Sequence, residues 1–203
     1  MNAESGRYDR AIALFDAANA QDPNLQTVEG EQHPKELLYA RRMSEMLGRY
    51  APAASAAVRL AVRAQHIQRW KIPRSDYPPT PVGYKQWRTA LYKFHAETAG
   101  KLMQQTGCGD ELIERVKSIV SKQGIKADPE TQMLEDVVDL VFLEHYLADF
   151  AAKHPEYDEA KWIDILQKTW KKMSPAGREA ALAKIKLPEH LLPLIKKAVG
   201  AAA

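Results

Sequence analysis

The 203-residue chain has a single cysteine, Cys108. That excludes an internal disulfide and every site built on paired thiolates, such as a CxxC zinc or thioredoxin-type motif. Ten glycines and twelve prolines are too few for a collagen-like or low-complexity chain. No segment alternates polar and apolar residues long enough to propose a sheet, and no fixed-period repeat runs along the sequence. Long apolar runs are missing too. The strongest, Val137 to Leu147, is broken by Asp139, Glu144 and His145 and is too short to span a bilayer. The opening MNAESGRYDR carries no apolar core behind a basic flank, so no secretory signal is expected. Together these absences predict a cytoplasmic protein with no membrane partner.

What is present is helical periodicity. Ala11, Ile12, Leu14, Phe15 and Ala18 form the stripe of a first helix. Leu37, Leu38, Met43, Met46 and Leu47 form that of a second, starting near Pro34. An alanine-rich helix is expected from Pro52 to Trp70. Four of the twelve prolines then fall between Ile72 and Gly83, which forbids a continuous helix and predicts a stiff loop. Helical spacing resumes from Tyr84 to Thr106 and again from Leu112 to Val120. Asp128-Pro129-Glu130 is a helix start: a capping Asp, Pro in the first turn and an acid beside it. The helix it opens, expected to reach Lys153, is apolar around most of its circumference and should be central. Two or more shorter helices follow. The expected fold is all-α, one domain over residues 1–203, a bundle of about eight helices.

Charge is unevenly placed. Between Arg59 and Lys101 nine basic residues face only Asp76 and Glu97, so this segment carries +7 while the whole chain carries +3. Concentrated positive charge attracts anionic ligands, either phosphorylated metabolites or nucleic acid.

Polar residues also stand where apolar ones belong. Asp136 shares a face with Met133, Leu140, Leu143 and Leu147, with Glu135 and Asp139 close by. A buried carboxylate needs a cation, a metal or several donors, so at least one of these three acids is expected to point inward for a reason. His33, His66, His95 and His145 lie in or beside helices, and imidazole with carboxylate is a common ligand set for divalent metals.

His33 at a helix start, His66 at the end of the next helix and Asp136 in a later buried helix run in the order His…His…Asp, with separations of 33 and 70 residues. In an all-helical chain this resembles the HD-domain superfamily of metal-dependent phosphohydrolases, whose motif is His…His-Asp…Asp. Glu31-Gln32-His33 looks like the first histidine, Ala64-Gln65-His66 the second and Leu134-Glu135-Asp136 the final aspartate. His95 resembles a histidine that many members carry on the following helix. The likeness covers residues 30–150 as an HD-like core and leaves residues 151–203 as a helical extension. One departure is chemical: Ile67 stands where the family has its second metal-binding aspartate. The full chain also resembles an uncharacterised family, some of whose members are labelled glutamyl-tRNA synthetase-like, although neither a HIGH-type nor a KMSKS-type segment occurs here.

The resemblance implies a hydrolase for a small phosphorylated substrate, a nucleotide above all. His33, His66 and Asp136 would hold one divalent ion, with manganese, zinc, iron and nickel equally compatible. His95 and Glu135 would serve acid–base chemistry. Arg69, Arg74, Ser75, Tyr77, Arg88 and Lys93 would contact the substrate. The alternative, favoured by Ile67, is a non-catalytic module that binds a nucleotide or RNA through the basic segment and has lost the metal chemistry.

Overall fold

Five helices begin at a side chain that caps them. Ser55, Thr80, Asp128, Asp158 and Ser174 each accept a hydrogen bond from a backbone N–H in the first turn that follows. In three of these starts a proline occupies the first turn, where its missing N–H costs nothing. The computed structural model describes residues 3–200. The chain runs α1 (Ala3–Asn19), β1 (Leu25–Val28), β2 (Glu31–Pro34), α2 (Lys35–Tyr50), α3 (Ala56–Ala64), α4 (Pro81–Gln105), α5 (Asp110–Val120) and α6 (Pro129–Val141). It continues through α7 (Leu147–Lys153), α8 (Glu159–Lys172), α9 (Pro175–Ala183) and α10 (Leu192–Gly200). The fold is a single all-α domain, with ten α-helices among the described residues. None of its helices is long and apolar enough to cross a membrane.

Three departures from the expected elements shape the site. The first is an antiparallel hairpin ahead of α2, pairing Leu25 with Pro34 and Val28 with Glu31. Its two-residue turn puts Glu29 and Gly30 at φ 51° and 86°, the left-handed pair that hairpin twist favours. Strands of four residues are too short for alternation to announce them. Asp22 then pins the start of α2, its carboxylate accepting from the backbone N–H of Asn24 at 2.9 Å and of Glu36 at 3.0 Å.

The second departure is the length of α3, which ends at Ala64 rather than Trp70. Gln68 follows in the left-handed region (φ 50°), and its N–H donates to the side chain of Asn19 at 2.9 Å. That turn swings His66 and Arg69 off the helix axis. The third lies after α6, where Phe142–Tyr146 forms one wide π turn before α7. Such a turn inserts an extra residue into the helical register and re-aims the side chains that follow.

The core is built around α3, whose Val58, Leu60, Ala61, Val62 and Ala64 are fully buried. It packs against α1, α2, α4, α5 and α6. The expected central helix, α6, is the bridge between halves: it touches α2, α3 and α5 on one side and α8 and α9 on the other. Ile67, the residue after His66, is a buried core residue.

Candidate anion-binding cavity

A cavity of about 450 Å³ opens between α2, the end of α3, α4, α6 and α8, within the size range of small-molecule sites. One wall is cationic: Lys35, Arg69, Arg88 and Lys172 line it. Arg69 and Arg88 are half-buried, yet among the described residues neither has a carboxylate within ion-pairing distance. They are held by other means. The Arg69 guanidinium lies 4.7 Å from the Trp87 ring centroid, a cation–π contact, and its Nη1 lies 3.3 Å from His66 Nε2. Arg88 donates to the Tyr92 hydroxyl.

His66 connects this wall to an acid. Its Nδ1 lies 3.3 Å from Glu36 Oε2, and its ring stacks on Tyr39 with centroids 4.1 Å apart. Burial, then Arg69, Arg88, Lys122 and Lys35, hold its pKa well below the usual histidine value. A neutral imidazole with its proton on Nδ1 donates to Glu36 and accepts from Arg69 at Nε2, so both ring nitrogens are used. Burial also lifts the Glu36 carboxyl from 4.5 to about 7, partly offset by Arg69 and Lys35.

The opposite wall comes from α6 and the π turn: Val138, Asp139, Phe142 and Tyr146. The three acids suspected on α6 are all buried, and each has a different fate. Asp136 is saturated. It accepts from Ser174 N–H at 2.7 Å, Ser174 Oγ at 2.5 Å, Tyr50 hydroxyl at 2.8 Å and Gln132 Nε2 at 3.0 Å. Glu135 is ion-paired with Lys122 and lies 4.0 Å from Lys172. Burial pushes its pKa up, but Lys122, Lys172 and Arg88 outweigh that and hold it below the usual value. Asp139 has no such support: its Oδ2 is buried without a partner.

The residues expected as metal ligands do not converge. His33 sits on β2 opposite Gln26, its Nε2 facing the exposed Glu31 at 3.9 Å. His66 has both nitrogens engaged, and Asp136 ties α6 to the start of α9. Among the described residues no cluster of three or more His, Cys, Asp or Glu side chains suits a metal. The donor set as it stands does not fit a metal ion.

His95 is buried, its ring 5.8 Å from that of His66, and its Nε2 has no partner. Burial first, then His66, Arg69 and Arg88, lower its pKa well below the usual value. It stands behind the cavity wall rather than on it. Arg74 donates at 2.8 Å to the carbonyls of Tyr77 and Pro78, stapling the proline-rich loop. It lines a shallower hollow that adjoins the cavity through Lys35, Glu36 and Arg69. Ser75, Tyr77 and Lys93 lie off the cavity, and Lys93 is exposed.

Glu36, Tyr39, Tyr146 and Lys172 complete a site whose Arg69, Arg88 and His66 the sequence had marked and whose Asp139 it had named among three candidate inward acids. Glu36 was visible in principle, because it falls on the same stripe as Ala40, Met43 and Leu47.

A family model described as "Domain of unknown function (DUF4202)" matches residues 9–195. No curated protein and no solved structure matches the chain.

Proposed function

The chain belongs to the DUF4202 family, and we propose that it binds a small phosphorylated molecule of nucleotide size in the cavity between α2, α4, α6 and α8. One observation carries the reading: two half-buried arginines, Arg69 and Arg88, present guanidinium groups to a cavity in which, among the described residues, neither is ion-paired, although Glu36 and Asp139 line it too. A buried cation without an ion pair is costly, and an anionic ligand removes that cost. Arginine forks match phosphate bidentately. The acids on the same walls oppose an anion less than free carboxylates would, because burial raises the Glu36 carboxyl to about 7 and leaves part of it protonated near neutrality.

Of the two expected functions, this geometry favours the binding module over the metal-dependent hydrolase. The hydrolase reading keeps its substrate class, and its HD-like ancestry is part of the same proposal. His66 then serves as the group that orients Arg69, not as a ligand. Titration calorimetry with nucleoside 5′-monophosphates tests the reading at low salt, with and without chelator. Binding that survives chelator and weakens at least tenfold in both Arg69→Ala and Arg88→Ala is expected. Unchanged affinity in both variants overturns it. Release of inorganic phosphate only when manganese is added would restore the hydrolase.

A further inference from the structure

Asp139 is the one acid of α6 that the fold itself leaves unsatisfied. It is 4% exposed, lines the cavity, and its Oδ2 is buried without a hydrogen-bond partner. Most buried polar atoms in native proteins are paired, so an orphan on a cavity wall points to a ligand atom. Its surroundings differ from those of the arginines. Val138 precedes it, and Phe142 and Tyr146 follow at three and seven residues on the same helical face, re-aimed by the π turn. The cavity therefore has a cationic wall suited to phosphate and a largely apolar and aromatic wall of Val138, Phe142 and Tyr146 with one carboxyl set in it.

We infer that Asp139 is a binding residue whose unpartnered carboxyl hydrogen-bonds an atom on a heteroaromatic base, which makes the ligand a nucleoside phosphate rather than a sugar phosphate. The inference rests on the anion-binding reading above. The protonation state follows from the charges around the group. Burial and the Glu135 carboxylate raise its pKa from 3.8 to about 8, Lys172 of α8 and Lys122 after α5 lower it in part, and Asp136 raises it further. Glu36, His66, Arg69 and Arg88 line the same cavity from α2, the turn after α3, and α4. At neutral pH Asp139 is a neutral donor, and it becomes an unpaired buried anion as the pH passes about 8.

The test compares AMP, GMP, CMP and UMP with ribose 5-phosphate by calorimetry, in the wild-type chain and in Asp139→Ala and Asp139→Asn. At least one nucleotide should bind the wild type more tightly than ribose 5-phosphate. Asp139→Ala should weaken that nucleotide about tenfold, the equivalent of one buried hydrogen bond, and leave ribose 5-phosphate unchanged. Relative to ribose 5-phosphate, which meets the same Glu36 ionisation, the wild type should lose nucleotide affinity above pH 8, whereas Asp139→Asn, which keeps an N–H donor, should hold the ratio of the two affinities between pH 7 and 9. Thermal unfolding controls for folding, and Asp139→Ala should melt no lower than wild type because it removes an unpaired buried carboxyl. Ribose 5-phosphate binding as tightly as every nucleotide, or Asp139→Ala affecting both ligand classes alike, overturns the inference while the anion site stands. Failure of the wild type to bind any of the phosphates overturns the anion site itself.

Discussion

Arg69 shows how one side chain is prepared for a ligand. Trp87 covers its face and His66 accepts at its edge, while Trp87 in turn is fixed by donating its indole N–H to the Ile72 carbonyl at 2.9 Å. If His66 acts by holding Arg69, its effect on nucleotide affinity must pass through that residue. A double-mutant cycle reads this directly. His66→Ala alone should weaken binding severalfold, and His66→Ala combined with Arg69→Ala should bind no more weakly than Arg69→Ala. Additive losses would mean that the imidazole touches the ligand itself. The sequence made Arg69 and Arg88 legible through the basic segment, and His66 through its place in the His…His…Asp order. It could not reveal that Asp136, best placed by register, is consumed by Ser174 and Tyr50 while Asp139 is left free. Register reports which face a residue occupies, and partners from α9 and α2 decide what happens there.

At the scale of elements, the cavity depends on interruptions of helix. The turn after α3, the proline-rich loop before α4 and the π turn after α6 each break a helical register; the first and last supply wall residues of the cavity, and the loop lines the adjoining hollow. Four prolines announced the loop. Nothing in composition announced the π turn, whose residues FLEHY are ordinary helix formers by propensity. The start of α4 shows how tightly the loop is seated. A Cβ on Gly83 would lie 2.2 Å from the Pro78 carbonyl oxygen, a backbone atom that cannot swing aside. Gly83→Ala should therefore displace the loop and the Arg74 staple, since Arg74 donates to that same carbonyl. The expected outcome is a loss of about 1–3 kcal/mol in denaturant unfolding, with weakened nucleotide binding. Gly48→Ala, which lies within α2 and meets nothing within 4 Å, is the contrasting case and should stabilise its helix slightly.

At the scale of the molecule, the fold class and single-domain organisation were legible because ten helices repeat the same periodic signal. The division into an HD-like core and an extension does not describe how the cavity is built. Thr169 and Lys172 of α8 line it, and Asp136 clamps α6 to the start of α9. The buried ionisable groups also set the stability profile of the whole domain. Glu36 and Asp139 have folded pKa values raised to about 7 and about 8, so the stability tied to their protons is complete below pH 4 and is lost as pH rises toward 8. His66 and His95 are lowered, and their contribution is present above pH 6.5 and is lost below it. Above about pH 7.5, where the unfolded histidines have lost their protons, only the carboxyl term slopes. Unfolding free energy there should fall by about 1.4 kcal/mol per pH unit for each carboxyl still protonated in the fold. Glu36→Gln with Asp139→Asn should flatten that limb, and a wild-type profile already flat would contradict the assignment.

The absence of an ion pair on Arg69 and Arg88 also bears on how fast a ligand comes and goes. An arginine locked to a carboxylate must first break that pair before it can grip a phosphate, which adds a barrier to association. Here, among the described residues, the guanidinium groups have no paired carboxylate to release and are already fixed by rings and a hydroxyl. Encounter should thus proceed near the electrostatically steered limit and slow steeply with ionic strength, and differences in affinity among related ligands should appear in their residence times.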